Sequence, residues 1–491
     1  MTHATYEVDK ADIQGLILRG YTHPYSCHLL FKFLGPLATC QGFFKALYPL
    51  VQNAEHWGSR KPAQMLNIGL TCPGLVQLKA LSTADLAFFP IDFTDGPWKD
   101  ASQGSLSDFG PGAPDKWWNQ HFAPEEVHGV VHAYALTQND LDALVGLITA
   151  AAAANGVQEL LPLAENQPRL TQGQLPDEEV HFGYRDGISE PALARSPMAP
   201  PTTPNQSDLA NFLIGYGPLN GSLIQPGPAG PATGKAGTFA KNGCYNAFRV
   251  LYQDVAAFNA LLAEQAQTLP PYAGPTAKDR EEWLAAKMMG RWRNGSPLML
   301  SPDAPSPATR SGEAFGYVQL PDVPPANRDL SHYHDVFSTS KCPFSAHTRV
   351  VNPRDEQLAA NEDALPPRLI RRGAPYGPPL TTASDDGVDR GLIGLFLCGS
   401  LARQFEKIYV WINSNDFAAD FNAYPTPQDA LLGNRNPTKQ ATIGTGFSIP
   451  GPTLQADSAI SIAPLPLLIH TRGTAYCLLP SLTSLRELAG L

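Results

Sequence analysis

No uninterrupted apolar run in the chain approaches the ~18 residues that a helical membrane span requires. No block of five or more like charges occurs, which leaves no polybasic footprint for nucleic acid or for an anionic membrane. The seven cysteines include no C-x-x-C pair. Their number is odd and several stand in apolar stretches such as "LFLCGS", so buried free thiols are expected rather than a disulfide framework or a zinc ribbon. The opening stretch, "MTHATYEVDKADIQGLILRGY", lacks a basic segment followed by a long apolar one. The expectation is a soluble, cytoplasmic chain that contacts neither membrane nor nucleic acid.

What is present is length and punctuation. The 491 residues exceed one ordinary core and suggest roughly three units of ~150 residues or two larger ones. With 43% hydrophobic residues the chain can bury a sizeable core. Its 47 prolines and 42 glycines imply many turns and long surface loops rather than a helical bundle. The formal charge of −10 says little about chemistry.

Strand and helix patterns alternate. Residues 27–35, 63–71 and 126–136 read as strands, and 40–54 and 74–82 as helices. Residues 137–156 form a strong helix pattern, with Thr137 or Asn139 as N-cap and Gly156 as stop. Pro/Gly-rich stretches at 195–208 and 217–237 then mark a boundary. The alternation resumes with a strand at 244–253 and helices at 254–267 and 279–292. Extended segments at 347–353 and 391–399 and a helical one at 401–414 follow. The chain therefore divides into an N-terminal α+β half (1–195), a connection (196–240) and a C-terminal α+β half (241–491).

Four stretches invite a chemical reading. In "HFGYRDGISEP", Gly183 and Gly187 bracket a bend that would aim Asp186 at a partner. His128 and His132 share a spacing with helical zinc sites, but the valine-rich alternation favours ordinary strand histidines. His332, His334 and Asp335 in "LSHYHDVF" could ligate a non-haem metal only with a further ligand, and a solvated loop is the blander reading. His347 in "KCPFSAHTRVVNPR" has Arg349 and Arg354 close behind it. An imidazole with nearby guanidiniums suits a metal centre with carboxylate rims, such as haem with its two propionates.

Taken in order, Gly-x-x-Asp-Gly at 183–187, Cys-Pro-Phe-x-Ala-His-x-Arg with Asn-Pro-Arg at 342–354, and Arg-Arg-Gly-x-Pro-Tyr-Gly at 371–377 resemble the signature set of the dye-decolorising peroxidases. Supporting stretches at 12–21, 67–75, 254–262, 284–292 and 403–413 extend the resemblance over nearly the whole chain. It implies two ferredoxin-like halves with antiparallel sheets, packed into one barrel-like α+β body, with haem b (iron protoporphyrin IX) held mainly by the second half. It implies a peroxidase that uses hydrogen peroxide, through a ferryl intermediate, to oxidise dyes, phenolics and other bulky aromatic reductants. The alternative is a haem- or porphyrin-binding or iron-handling protein with incidental peroxidase activity. By the resemblance, His347 is the iron ligand, Asp186 the distal acid–base residue and Arg371 the distal cation. Arg349 would meet a haem propionate and Asp416 the His347 ring N–H. Tyr376 would relay electrons to the surface, with Trp411 and Tyr409 as further candidates. Which of Leu395, Phe396 and Leu397 faces the iron stays open.

Overall fold

The computed structural model describes residues 8–163, 169–173, 175–194, 206–216, 234–317, 341–354, 366–414, 428–435, 446–449 and 460–491. The chain order of strands begins with β1 (Tyr25–Phe33), β2 (Gln64–Thr71), β3 (Gly129–Ala135), β4 (Val157–Leu160) and β5 (Leu170–Gln172). Two short strands, β6 (Ala192–Ala194) and β7 (Gln206–Asp208), pair with each other. Then come β8 (Cys244–Gln253), β9 (Ile370–Arg371), β10 (Ala374–Tyr376) and β11 (Gly391–Cys398). A second small pair, β12 (Phe447–Ile449) and β13 (Ile460–Ile462), precedes the last strand, β14 (Ile469–Leu479).

Ten of these strands make one antiparallel sheet. Around it the order runs β5-β1-β3-β2-β14-β8-β11-β10, and β10 pairs back onto β5 at Tyr376↔Gln172. The sheet is therefore closed. β4 extends the pairing along β1, and β9 extends it along β11. The first half supplies the spatial order fourth-first-third-second, with β4 and β5 in the fourth place. The second half repeats it as β14, β8, β11 and then β9 with β10. This is the ferredoxin-like order, twice. The halves share one sheet because β14 pairs with β2 on one side and β10 with β5 on the other.

Local chemistry explains the helices. The Thr137 hydroxyl caps the helix Gln138–Ala154 by accepting from the Asp140 N–H, and Asp254 does the same for Val255–Gln265 through Ala257. Each such cap contributes about 1 kcal/mol. Thr276 and Asp279 form a reciprocal capping box ahead of Ala277–Met289, and Gly290 ends that helix. One expected extended segment is different: His347–Val351 is a single helical turn and a half. β9, β10, β14 and the C-terminal helix Leu482–Ala489 were not visible as patterns.

Strand alternation divides the core. Inward residues such as Leu30, Val130, Phe248, Val250 and Leu395 fill the barrel, and Trp117 and Trp118 pack with them. Outward residues pack under helices, as one cluster around Phe31, Phe43 and Leu144 and another around Phe258, Leu284 and Leu298. All seven cysteines are buried thiols. Among the described residues no helix is long and apolar enough to cross a membrane.

Candidate functional site

A cavity of about 260 Å³ opens against the outer face of the second half of the sheet. A buried water needs roughly 10–15 Å³ on this measure, so the space suits an organic ligand rather than a few solvent molecules. Its walls are largely apolar, from Leu251 on β8, Leu392 and Phe396 on β11, and Met289, Ile408 and Ile412 on flanking helices. Residues 392, 394 and 396 alternate onto this face, so Phe396 lines the cavity while Leu395 points into the barrel. Between them, Gly394 leaves room for the Phe396 ring. A Cβ there would stand 2.3 Å from that ring.

Asp186 reaches the cavity from a bend. Glu179 and Arg185 form an isolated antiparallel bridge, and the Gly183 N–H donates to the Val180 carbonyl at 2.7 Å. Gly183 and Gly187 have φ of 79° and 71°. That region costs an L-residue roughly 1–2 kcal/mol and costs glycine nothing comparable. The Asp186 N–H is fixed on the Glu178 carbonyl at 2.9 Å, and the residue lines the cavity.

His347 enters from the short helix. Asn352 leaves helical geometry ahead of Pro353, which cannot continue the ladder. The His347 Nδ1–H donates to Asp429 Oδ2 at 2.7 Å. Asp429 is wholly buried, and its Oδ1 accepts from the N–H groups of Leu431 and Leu432 at 2.8 and 2.9 Å. A carboxylate only accepts, so the ring proton sits on Nδ1 and the lone pair on Nε2. The residue expected to support His347, Asp416, lies outside the described residues. The carboxylate that meets the ring is Asp429.

Two further expected residues stand apart from the cavity wall. Arg349 is buried and absent from the cavity wall; its guanidinium donates to the Cys342 carbonyl at 2.5 Å and stacks on Phe344. On a helix a residue two positions along lies about 200° round, so it faces away from His347. Arg354, past the end of the helix, lines the cavity instead. Tyr376 is 2% exposed on β10 and donates its hydroxyl to Asp389 at 2.9 Å, so it offers no surface to a dye. Trp411 and Tyr409 are buried too. His332, His334 and Asp335 lie outside the described residues, and among the described residues no cluster could hold a metal ion through three or more His, Cys, Asp or Glu side chains.

Arg185, Arg291, Arg354, Arg368 and Arg371 all line the cavity. Burial, followed by the neighbouring Arg354 charge, pushes Arg368 down to about 10. Burial also lowers Arg291. Arg371 donates to the Ser189 carbonyl at 2.7 Å, whereas Arg372 pairs with Glu190 at 2.6 Å and does not line the cavity. Among the described residues, the buried Nε atoms of Arg185 and Arg354 have no hydrogen-bond partner. One imidazole oriented through Nδ1 by a carboxylate, apolar walls and a cationic margin fit a planar iron macrocycle bearing carboxylates.

No family model matches the chain. It is 29% identical over 371 residues to a dye-decolorizing peroxidase of Mycena epipterygia, a match that spans 73% of this chain and 62% of that protein. It is 27% identical over 506 residues to peroxidase 2 of Mycetinis scorodonius, spanning 99% of this chain and 88% of the relative. The fold is similar to a solved ancestral D-type dye decolorizing peroxidase, with a TM-score of 0.78 and 25% identity, covering 98% of this chain and 99% of the other.

Proposed function

The chain belongs to the dye-decolorising peroxidase family, and we propose that it binds haem b and uses hydrogen peroxide to oxidise dyes and phenolic reductants. The observation that carries this reading is one cavity lined by His347, Asp186 and Arg371 together, with His347 held in the tautomer that leaves Nε2 unprotonated.

When bound, the haem would supply a redox-active centre that gives up two electrons to peroxide and regains them one at a time from reductants. The chain's own residues would do the rest. His347 would hold the group through Nε2. Asp429 would keep that ring oriented and make it more basic. Arg354 and Arg368 would face its carboxylates. Asp186 would take the proton from one peroxide oxygen and return it to the oxygen that departs as water. Arg371 would stabilise negative charge on the departing oxygen, and the apolar wall around Phe396 would keep bulk water from weakening that interaction. A carrier has no use for an acid–base residue and a cation on one cavity wall, so the iron-handling alternative finds no support here.

Substitution tests the division of labour. Asp186→Asn is expected to retain haem and slow the peroxide step by 10²–10⁴-fold, the usual range for a general acid–base group, by stopped-flow spectroscopy. Unchanged kinetics would transfer the distal chemistry to Arg371.

A further inference from the structure

Both sides of the cationic margin and the loop of Asp186 converge on one carboxylate outside the cavity. Glu313 Oε1 accepts from Arg291 Nη2 at 2.8 Å and stands 4.0 Å from Arg354 Nη2. Its Oε2 accepts from the Ser189 hydroxyl at 3.0 Å, and its backbone carbonyl accepts from Arg354 Nη1 at 2.9 Å. Ser189 then uses its own carbonyl to accept from Arg371 Nη2 at 2.7 Å. Glu313, by side chain and backbone and through Ser189, thus ties together four segments. They are the loop three residues past Asp186, the turn after the helix Ala277–Met289, the chain beyond His347, and β9.

The electrostatics favour this arrangement. Five guanidiniums line one cavity, and burial of Arg291 and Arg368 leaves less water to screen their repulsion. Arg371 sits on a strand of only two residues, which does little by itself to fix a long side chain. Its guanidinium is placed by the Ser189 carbonyl, and Ser189 is placed by Glu313. Catalytic groups lose their effect steeply with misplacement: an error of 1 Å can cost on the order of 100-fold in rate.

We propose that Glu313 is a positioning residue: through Ser189 its carboxylate sets where the Arg371 guanidinium stands relative to Asp186, while its backbone carbonyl holds Arg354 at the cavity margin. This rests on the peroxidase reading above. The test compares Glu313→Gln, Ser189→Ala and Ser189→Thr with wild type as haem-loaded proteins. Fluoride is the probe, because its complex with ferric haem responds to distal hydrogen-bond donors. Glu313→Gln and Ser189→Ala should weaken fluoride binding and slow the reaction with peroxide about ten- to a hundred-fold. Ser189→Thr, which keeps the hydroxyl, should restore both. Wild-type fluoride affinity and peroxide rate in Ser189→Ala would overturn the proposal. The crystal structure of haem-free Ser189→Ala decides the point separately from the peroxidase reading. A displaced Arg371 guanidinium is expected, and one left in its wild-type place would refute the tether. Failure of wild type to take up haem would instead refute the function.

Discussion

Replacing Asp429 by asparagine is nearly isosteric, yet it should damage the site more than a truncation does. Asp429 Oδ1 accepts from two backbone N–H groups, of Leu431 and Leu432. An asparagine must keep its oxygen there. Turning the amide over would leave both donors unpaired, at about 1–3 kcal/mol each, so about 2–6 kcal/mol in all. The amide NH₂ is then directed at His347 Nδ1, where the carboxylate now accepts at 2.7 Å. Two donors cannot share that contact. The ring must move its proton to Nε2, the nitrogen that would bind iron, and that nitrogen loses its lone pair. Asp429→Ala empties the site but leaves the ring free to keep Nε2 unprotonated. Haem affinity, followed by Soret titration and competition with a haem acceptor, should fall at least 10–100-fold in Asp429→Asn, and further than in Asp429→Ala. Resonance Raman of the ferrous form should show a weakened or absent iron–histidine stretch. An asparagine variant that binds haem as wild type does would refute the tautomer argument.

Other expectations follow from the same contacts. Gly394→Ala should force the Phe396 ring out of its place against β11; haem uptake should slow or weaken, and an unchanged Soret titration would contradict the crowding. The barrel encloses His28 and His132, joined Nδ1 to Nδ1 at 2.9 Å, with His28 Nε2 on Gln172 Oε1 at 2.7 Å. Burial lowers His28 to about 4 and pushes His132 well below its ordinary value. The folded form keeps both rings neutral and the unfolded chain does not, so stability is lost as pH falls from about 6.5 towards 4. For His28 alone that amounts to roughly 3–4 kcal/mol, from about 2.5 pH units at ~1.4 kcal/mol each. Denaturant melts of His28→Phe/His132→Leu should show a shallower loss across that window, and an equal slope would refute it. Tyr376→Phe loses the bond to Asp389 inside the barrel seam and should lower the melting temperature, with no selective loss of bulky-dye turnover; a loss confined to bulky dyes would reinstate an electron relay.

The sequence made the first half's sheet and the Asp186 bend legible because their signals are local. Alternation marks β1, β2 and β3, and two glycines at fixed offsets mark the turn. The local structure at His347 was not legible. Residues 347–353 read as extended chain, whereas His347–Val351 is a short helix, which turns Arg349 to the side away from His347. A turn and a half is too short for helical periodicity to appear. Asp429 is 82 residues from His347 in "TPQDALLG", and nothing local distinguishes it from other acidic residues. Its role is created by packing. Tyr376 was expected, by the resemblance, to relay electrons to the surface; its burial follows from β10 closing the barrel, and closure is a long-range property. Glu313 carries no motif at all, since its partners come from segments up to 124 residues away.

The central claim is tested most directly by the visible spectrum of the haem-loaded chain before and after one equivalent of hydrogen peroxide. The account predicts a ferric Soret band that shifts and weakens within milliseconds and returns when a phenol is added. A Soret band indifferent to peroxide would contradict the peroxidase function, and no Soret band after supplying haem would contradict the site itself.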